Sequence, residues 1–380
     1  MSLDLIRDER DLRALRLVCK TTAGFTRARM LSTCYADIHI LLSVRRSLLN
    51  ALRIAKHPVL GKAVRCVRIY ECTLSREAFD DIRFPGDDAV SLKASRFDIH
   101  PHRETRLQYF KLLEDQEWMV ATGEDVEHLT EIFRSLASAN RTMNLVIEDC
   151  HGKANHPRAK SAFERTFGVG MARSTFFRDV WADDRTLSTV LSAIQRSDLR
   201  LKEFEAAPGR FAVPWKSSLD ANGFAGTFKN FEGLTSLSLS FGDVRSTGDA
   251  AIQSAEVDGF LGFLQHLSPS LQDLQLSWQR RRGPHASSRQ FHELCTRMCQ
   301  TLTFPKLRIL DMLDFQISYS PFVMFLGRHT SRLRYYRLDG ELLHFGLNWP
   351  HAQRLKALRD DLKAANFPLG NGTLQMLIHR

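Results

Sequence analysis

Few residues in this chain are grouped as chemistry would require. Cys150-His151 stand near His156, and His100 stands near His102. Tetrahedral zinc needs four convergent ligands, usually as two tight pairs, and neither grouping brings a second pair. Cys295 and Cys299 lie one helical turn apart beside Phe291, Met298 and Leu302, where thiols fill a core as small apolar groups. His292-Glu293 lacks the second histidine of an HExxH helix. Gly61-Lys62 has neither the upstream glycine nor the following Ser or Thr of a phosphate loop. Gly168 and Gly170, in GVGMAR, lack a third glycine and a preceding apolar strand. No GxSxG elbow occurs. The acidic pairs Asp80-Asp81, Asp87-Asp88 and Asp360-Asp361 read as solvated surface. So does Arg280-Arg281-Arg282, in a polar stretch with Gly283-Pro284. The expectation is a chain with no catalytic residue, no metal site and no cofactor, and so not an enzyme.

Composition narrows the class further. The 380 residues are 43% hydrophobic and 25% charged, which is globular rather than disordered or fibrous. No apolar run approaches the roughly 20 residues that span a bilayer. IHILLSV, residues 38–44, is interrupted by His39 and followed by Arg45-Arg46, so no membrane partner is expected. Asp4, Asp8, Glu9 and Asp11 stand where a secretory signal has its apolar core. The seven cysteines are scattered without a CxxC pair, which fits reduced thiols in the cytoplasm or nucleus. The net charge is +10, and residues 1–62 carry 12 Lys and Arg against five Asp and Glu. Such an excess attracts an acidic partner. Arginine outnumbers lysine 40 to 13, and arginine pairs with carboxylates as well as with phosphates, so the excess does not by itself select a nucleic acid.

The elements that would position any binding residue repeat along the chain. An apolar residue is followed three and then five positions later by two more: Val64–Val67–Ile69, Thr142–Leu145–Ile147, Leu201–Phe204–Ala206, Leu234–Leu237–Leu239, Leu271–Leu274–Leu276, Leu307–Leu310–Met312 and Leu333–Tyr336–Leu338. The last two of each set are spaced to share one face of a strand. Helical stripes precede most units: Val126/Leu129/Phe133/Leu136, Leu187/Leu191/Ile194, Val257/Phe260/Leu261/Leu264, Phe291/Cys295/Met298/Leu302 and Phe322/Phe325/Leu326. The second follows a capping Asp183-Asp184, and the fifth follows Pro321 in a first turn. Residues 36–56 read as a short extended piece and then a helix, and residues 84–102, 150–182 and 279–288 read as loops or breaks.

Strand–helix units with LxxLxL in each strand resemble a leucine-rich-repeat solenoid, in which stacked neighbours bury a core that no unit could bury alone. Successive units from Leu201 begin 33, 37, 36 and 26 residues apart, longer and less even than the ~20–29 of ordinary repeats. The expected fold class is α/β: an irregular leucine-rich-repeat-like solenoid of parallel strands with outer helices, preceded by a small helical segment. The expected divisions are 1–60, 61–345 with long insertions, and a helical cap over 346–380 that hides the last apolar face.

DLRALRLVCK, Asp11 to Lys20, resembles the second half of an F-box. HPVLGKAVRCVRIYE and YFKLLEDQEWMVATGEDVEHLTEIF resemble fungal proteins in which an F-box precedes degenerate leucine-rich repeats. The family's opening Leu-Pro segment and apolar helix are not matched by MSLDLIRDER, so the resemblance is to an F-box whose first half is missing or truncated, either because the true start lies upstream of Met1 or because ligase assembly has been lost. The resemblance implies a substrate receptor of a cullin–RING ubiquitin ligase. Leu12, Leu15, Leu17 and Val18 would meet the Skp-type adaptor or pack the helices that do, and the repeats would capture a protein substrate. The other reading is a stand-alone repeat scaffold that binds a protein or, as the lesser alternative, a nucleic acid, without ligase assembly. In either case the positions between and after the last two apolar residues of each unit would line a concave binding face: Arg68, Tyr70, Glu148, Glu205, Ser238, Ser240, Gln275, Ser277, Asp311, Arg337 and Asp339. Only Arg68 and Arg337 among these are basic, which favours a protein over a nucleic acid.

Overall fold

The structure is a computed structural model that describes residues 31, 35–71, 100–140, 142–149, 184–206, 213–214, 228–242, 254–279, 288–343, 351–364 and 372–376. In chain order the elements are β1 (Asp37–Leu41), α1 (Arg45–Lys56), α2 (Leu60–Ala63), β2 (Cys66–Glu71), α3 (His100–Thr122), α4 (Glu124–Ala139) and β3 (Met143–Asp149). They continue with α5 (Asp184–Gln195), β4 (Leu201–Ala206), β5 (Val213–Pro214), α6 (Phe228–Phe231), β6 (Ser236–Gly242), α7 (Ser254–Leu267) and β7 (Asp273–Gln279). The last are α8 (Ser288–Thr301), β8 (Ile309–Ser318), α9 (Tyr319–His329), β9 (Tyr335–Leu343), α10 (His351–Ala364) and β10 (Gly372–Met376).

All seven expected strands form and stand side by side in chain order. The sheet runs β1-β2-β3-β4-β6-β7-β8-β9-β10, with the short β5 paired to β6, and every pairing is parallel. Parallel neighbours need a crossover, and between most of them the chain supplies a helix. Successive helices touch: α1 meets α4, α4 meets α5, and α6 to α10 follow one another. Because the strand order never reverses, the described sheet has no switch point of the kind at which doubly wound sheets bind nucleotides.

The sheet extends past both ends expected for it. Ile38 and Ile40 bury in the core and β1 pairs with β2, so the sheet begins at Asp37, inside the stretch assigned to a separate N-terminal segment. The C-terminal stretch is not a helical cap alone. After α10 the chain adds β10 to β9, with Leu374 opposite Leu338. Residues 100–102, expected in a loop, form the first turn of α3.

The inward strand positions and the helical stripes form one core. Val67/Ile69, Leu145/Ile147, Phe204/Ala206, Leu237/Leu239, Leu274/Leu276 and Leu310/Met312 are buried together with Leu129, Phe133, Leu191, Phe260, Cys295, Met298 and Phe325. Thr142, polar where the other units are apolar, is exposed, and Met143 buries beside it. Burial pushes the Cys295 and Cys299 thiols far up, so they are inert space-filling groups. Between β4 and β6 the described residues include the single turn of α6, which packs through aromatic rings. Phe231 packs edge-on against Phe204 and Phe263, both 5.3 Å between centroids, and Phe260 continues the chain to Phe241 at 5.5 Å. Buried Asn230 fixes this turn by donating from Nδ2 to the carbonyls of Ser197 and Leu199 at 3.0 and 2.9 Å.

A recurring backbone bond sets the spacing of the strands. At the entry to β2, two consecutive N–H groups, Arg65 and Cys66, donate to the Ala36 carbonyl at 2.7 and 3.0 Å. Gln272 and Asp273 do the same to Thr235, Arg308 and Ile309 to Gln272, and Arg334 and Tyr335 to Arg308. At the first of these entries α2 lies close against the end of α1. A Cβ on Gly61 would overlap the Ala55 carbonyl, so only glycine fits there.

Buried His329 ties α9 to the turn before β8. Its Nε2 accepts from the Phe304 N–H at 2.8 Å, so Nδ1 carries the proton and donates to the Phe325 carbonyl at 2.7 Å. Burial, helped by Arg328 and opposed by the Phe325 bond, pushes its pKa below the ordinary 6.5. The unfolded chain then binds this proton more readily than the folded one. Stability is therefore expected to fall as the pH drops from 6.5 towards the depressed folded-state value. His329→Gln should flatten that slope and lower stability at pH 7.5, and urea unfolding from pH 7.5 to 5 measures both.

Candidate functional site

The face of the sheet opposite the helices is polar, and its side chains stand in register across the strands. The position between the two inward residues of each unit forms one row: His39, Arg68, Val146, Glu205, Ser238, Gln275, Asp311, Arg337 and Thr373. Two residues earlier lies a second row that includes Asp37, Cys66, Asn144, Glu203, Ser236, Asp273, Ile309 and Tyr335. A third, two residues later, holds Leu41, Tyr70 and Glu148 at one end and Ser240, Ser277, Leu313, Asp339 and Gln375 at the other.

At the β1 end Arg68 bridges two acids. Its Nε donates to Asp37 at 3.2 Å and its Nη1 to Glu148 at 2.5 Å. Beside it the rings of His39 and Tyr70 stack at 5.8 Å, with His39 Nδ1 2.9 Å from the Tyr70 hydroxyl. Burial, with the Glu148 charge adding to it, pushes the Tyr70 phenol well up. Burial likewise pushes Cys66 up to about 12, so at neutral pH it is a thiol and a poor nucleophile.

The middle of the face is a hydrogen-bonded relay. Asn144 Nδ2 donates to Glu203 at 2.6 Å across β3 and β4. Ser238 Oγ donates to Gln275 Oε1 at 2.7 Å, and Gln275 Nε2 donates to Asp311 Oδ2 at 2.8 Å, which joins β6, β7 and β8. Burial raises the Asp311 carboxyl, while the Gln275 bond and the Arg337 charge pull the other way. Burial and then the Glu203 charge raise Asp273. Cross-strand pairs of this kind stiffen a sheet.

The expected binding positions divide by burial. Tyr70, Glu148, Ser238, Ser240 and Asp311 stand on the expected face but are at most 8% exposed, which corrects the expectation that they are open to a ligand. The cause lies in their neighbours: Arg68 covers Glu148, His39 stacks on Tyr70, and Gln275 ties down Ser238 and Asp311. Arg68, Glu205, Gln275 and Ser277 are partly open, and Arg337 is exposed. Asp339 lies in β9, and its side chain is outside the described residues. Leu12, Leu15, Leu17 and Val18 also lie outside the described residues, as do Arg280-Arg281-Arg282 and the Cys150/His151/His156 group.

Two accessible residues escaped the sequence reading. Ile309 and Tyr335 are paired in register on β8 and β9, and they are 38% and 43% exposed. They occupy a position that holds Asn, Glu, Ser and Asp on β3, β4, β6 and β7. An apolar residue at that place in LRILDML and LRYYRLD was the signal. With the exposed Arg337 two residues on, they give an aromatic, an aliphatic and an arginine side chain at one end of the face, and tyrosine and arginine are types enriched at protein–protein hot spots.

Among the described residues no group of three or more His, Cys, Asp or Glu side chains is placed to hold a metal ion. Nor is any described helix long and apolar enough to cross a membrane. No protein-family model matches the chain, and no curated protein matches it.

The Arg68 bridge yields a test of how the face is held. Arg68→Ala leaves the 5%-exposed Glu148 carboxylate without its cation. Orphaning a buried acceptor is expected to lower unfolding stability by about 1–3 kcal/mol. Adding Glu148→Gln should recover part of the loss, and a double-mutant cycle by urea denaturation measures the coupling.

Proposed function

We propose that this chain is a non-catalytic protein receptor built on an irregular leucine-rich-repeat-like solenoid. The supporting observation is the polar, in-register sheet face that carries an accessible Ile309/Tyr335/Arg337 patch. Strands in chain order and helices between them are what stacked repeats require. The buried parts of the face are joined to one another by hydrogen bonds and ion pairs, which suits a rigid platform.

The F-box-like Asp11–Lys20 motif supports a more specific reading. In it the chain is a substrate receptor of a cullin–RING ligase, with Leu12, Leu15, Leu17 and Val18 toward the Skp-type adaptor and the sheet face toward the captured protein. Co-expression with the adaptor and a pull-down test this directly. The wild-type chain is expected to retain the adaptor and Leu15→Asp/Val18→Asp to lose it, with the thermal unfolding of the sheet unchanged. Failure of the wild-type chain to bind would remove the ligase reading and leave the scaffold. Ile309→Asp/Tyr335→Ala should keep the adaptor and lose the co-purifying substrate, compared by quantitative mass spectrometry.

A further inference from the structure

The residue that follows the first apolar position of each unit sits at the edge where the strands begin. It is Arg65, Lys202, Thr235, Gln272, Arg308 and Arg334 in six of the seven units. The recurring entry bonds hold these residues next to one another; the Arg334 N–H, for example, donates to the Arg308 carbonyl at 2.8 Å. Two exposed arginines thus sit on adjoining strands, roughly 5 Å apart in backbone.

Below the starts of β8 and β9 this edge opens into a cleft of about 330 Å³. It is lined by Lys306, Arg308, Arg332 and Arg334 together with Gln272 and Ser331, and no acidic side chain lines it. All four cations are exposed, and none has an acidic ion-pair partner among the described residues. Arg332 is fixed by donating from Nη1 to the Pro305 carbonyl at 2.7 Å. The charge of Arg308 also acts on Asp273 at the start of β7, lowering its carboxyl against the effect of burial. Four like charges in one cleft repel one another, and an anion relieves that repulsion.

We propose that this cleft binds a small anion bearing two or more phosphate groups. The arginine forks match phosphate oxygens bidentately, and four positive charges exceed what one carboxylate neutralises. The volume suits a small molecule. A nucleic acid fits less well, because no aromatic side chain lines the cleft to stack a base and the row is neutral at Thr235 and Gln272. The site lies at the strand-entry edge, where Arg308 and Arg334 directly precede Ile309 and Tyr335.

Isothermal titration of the full chain with tripolyphosphate tests it, with sulfate as the single-anion control and a single-stranded RNA oligonucleotide as the competing ligand. The wild-type chain should bind tripolyphosphate saturably and more tightly than sulfate, with affinity falling as salt rises. Arg308→Ala and Arg334→Ala should each weaken binding about tenfold or more. Lys306→Ala, on the turn before β8, should weaken it in the same direction. Circular dichroism melts of the variants should match the wild type, since all three side chains are exposed. The proposal is overturned by an absence of saturable binding, by unchanged affinity in the variants, or by RNA binding more tightly than tripolyphosphate and depending on the same arginines.

Discussion

Each strand in this protein has an inner face that is apolar and an edge that is unpaired, and only the following unit covers both. That mutual dependence explains most of the structure. It requires strands in chain order, because the next segment synthesised is the one that completes the last. It places the helices in a chain of neighbours, each closing the groove left by the one before. It also tolerates unequal repeats. Around the single turn of α6, five phenylalanines and Asn230 join it to the neighbouring strands and to α7.

The same dependence separates the molecule into surfaces with different freedom. Inward positions are bound by packing, and a lost methylene is felt throughout a dense core. The sheet face is bound by its polar contacts, the Arg68 clasp on Asp37 and Glu148 and the Ser238–Gln275–Asp311 relay. Openness is concentrated near β8 and β9, where Ile309, Tyr335 and Arg337 stand clear of those contacts. Most of the described face is thus held by its own contacts, while one end carries exposed apolar and basic side chains.

Much of the architecture was legible in the residues. The three-then-two spacing of apolar positions placed seven strands, because a strand buried on one side must alternate and its entry turn must also bury a side chain. The outer strands were harder. In β1 the entry position is Tyr35, which is only partly buried, and Ile38/Ile40 alone look like any short extended piece. In β10 Leu369 holds the entry position and Leu374 the last, but Gly372 stands where the middle apolar residue belongs, so the pairing with β9 is what reveals the strand. Burial on the polar face was not legible. Whether Glu148 is open depends on where an arginine 80 residues away directs its guanidinium, and spacing along the chain carries no trace of that.

At the strand entries the neighbour's carbonyl is held by main-chain N–H groups, joined at one entry by the Thr235 hydroxyl, which donates to the Lys202 carbonyl at 3.1 Å, so the side chain at this place has little part in closing the sheet. Arg, Lys, Thr and Gln occupy equivalent places there without disturbing the strands beside them. This border can change its charge through a lineage while the architecture above it stays the same. New recognition can therefore arise along one margin of the molecule without first having to be reconciled with folding.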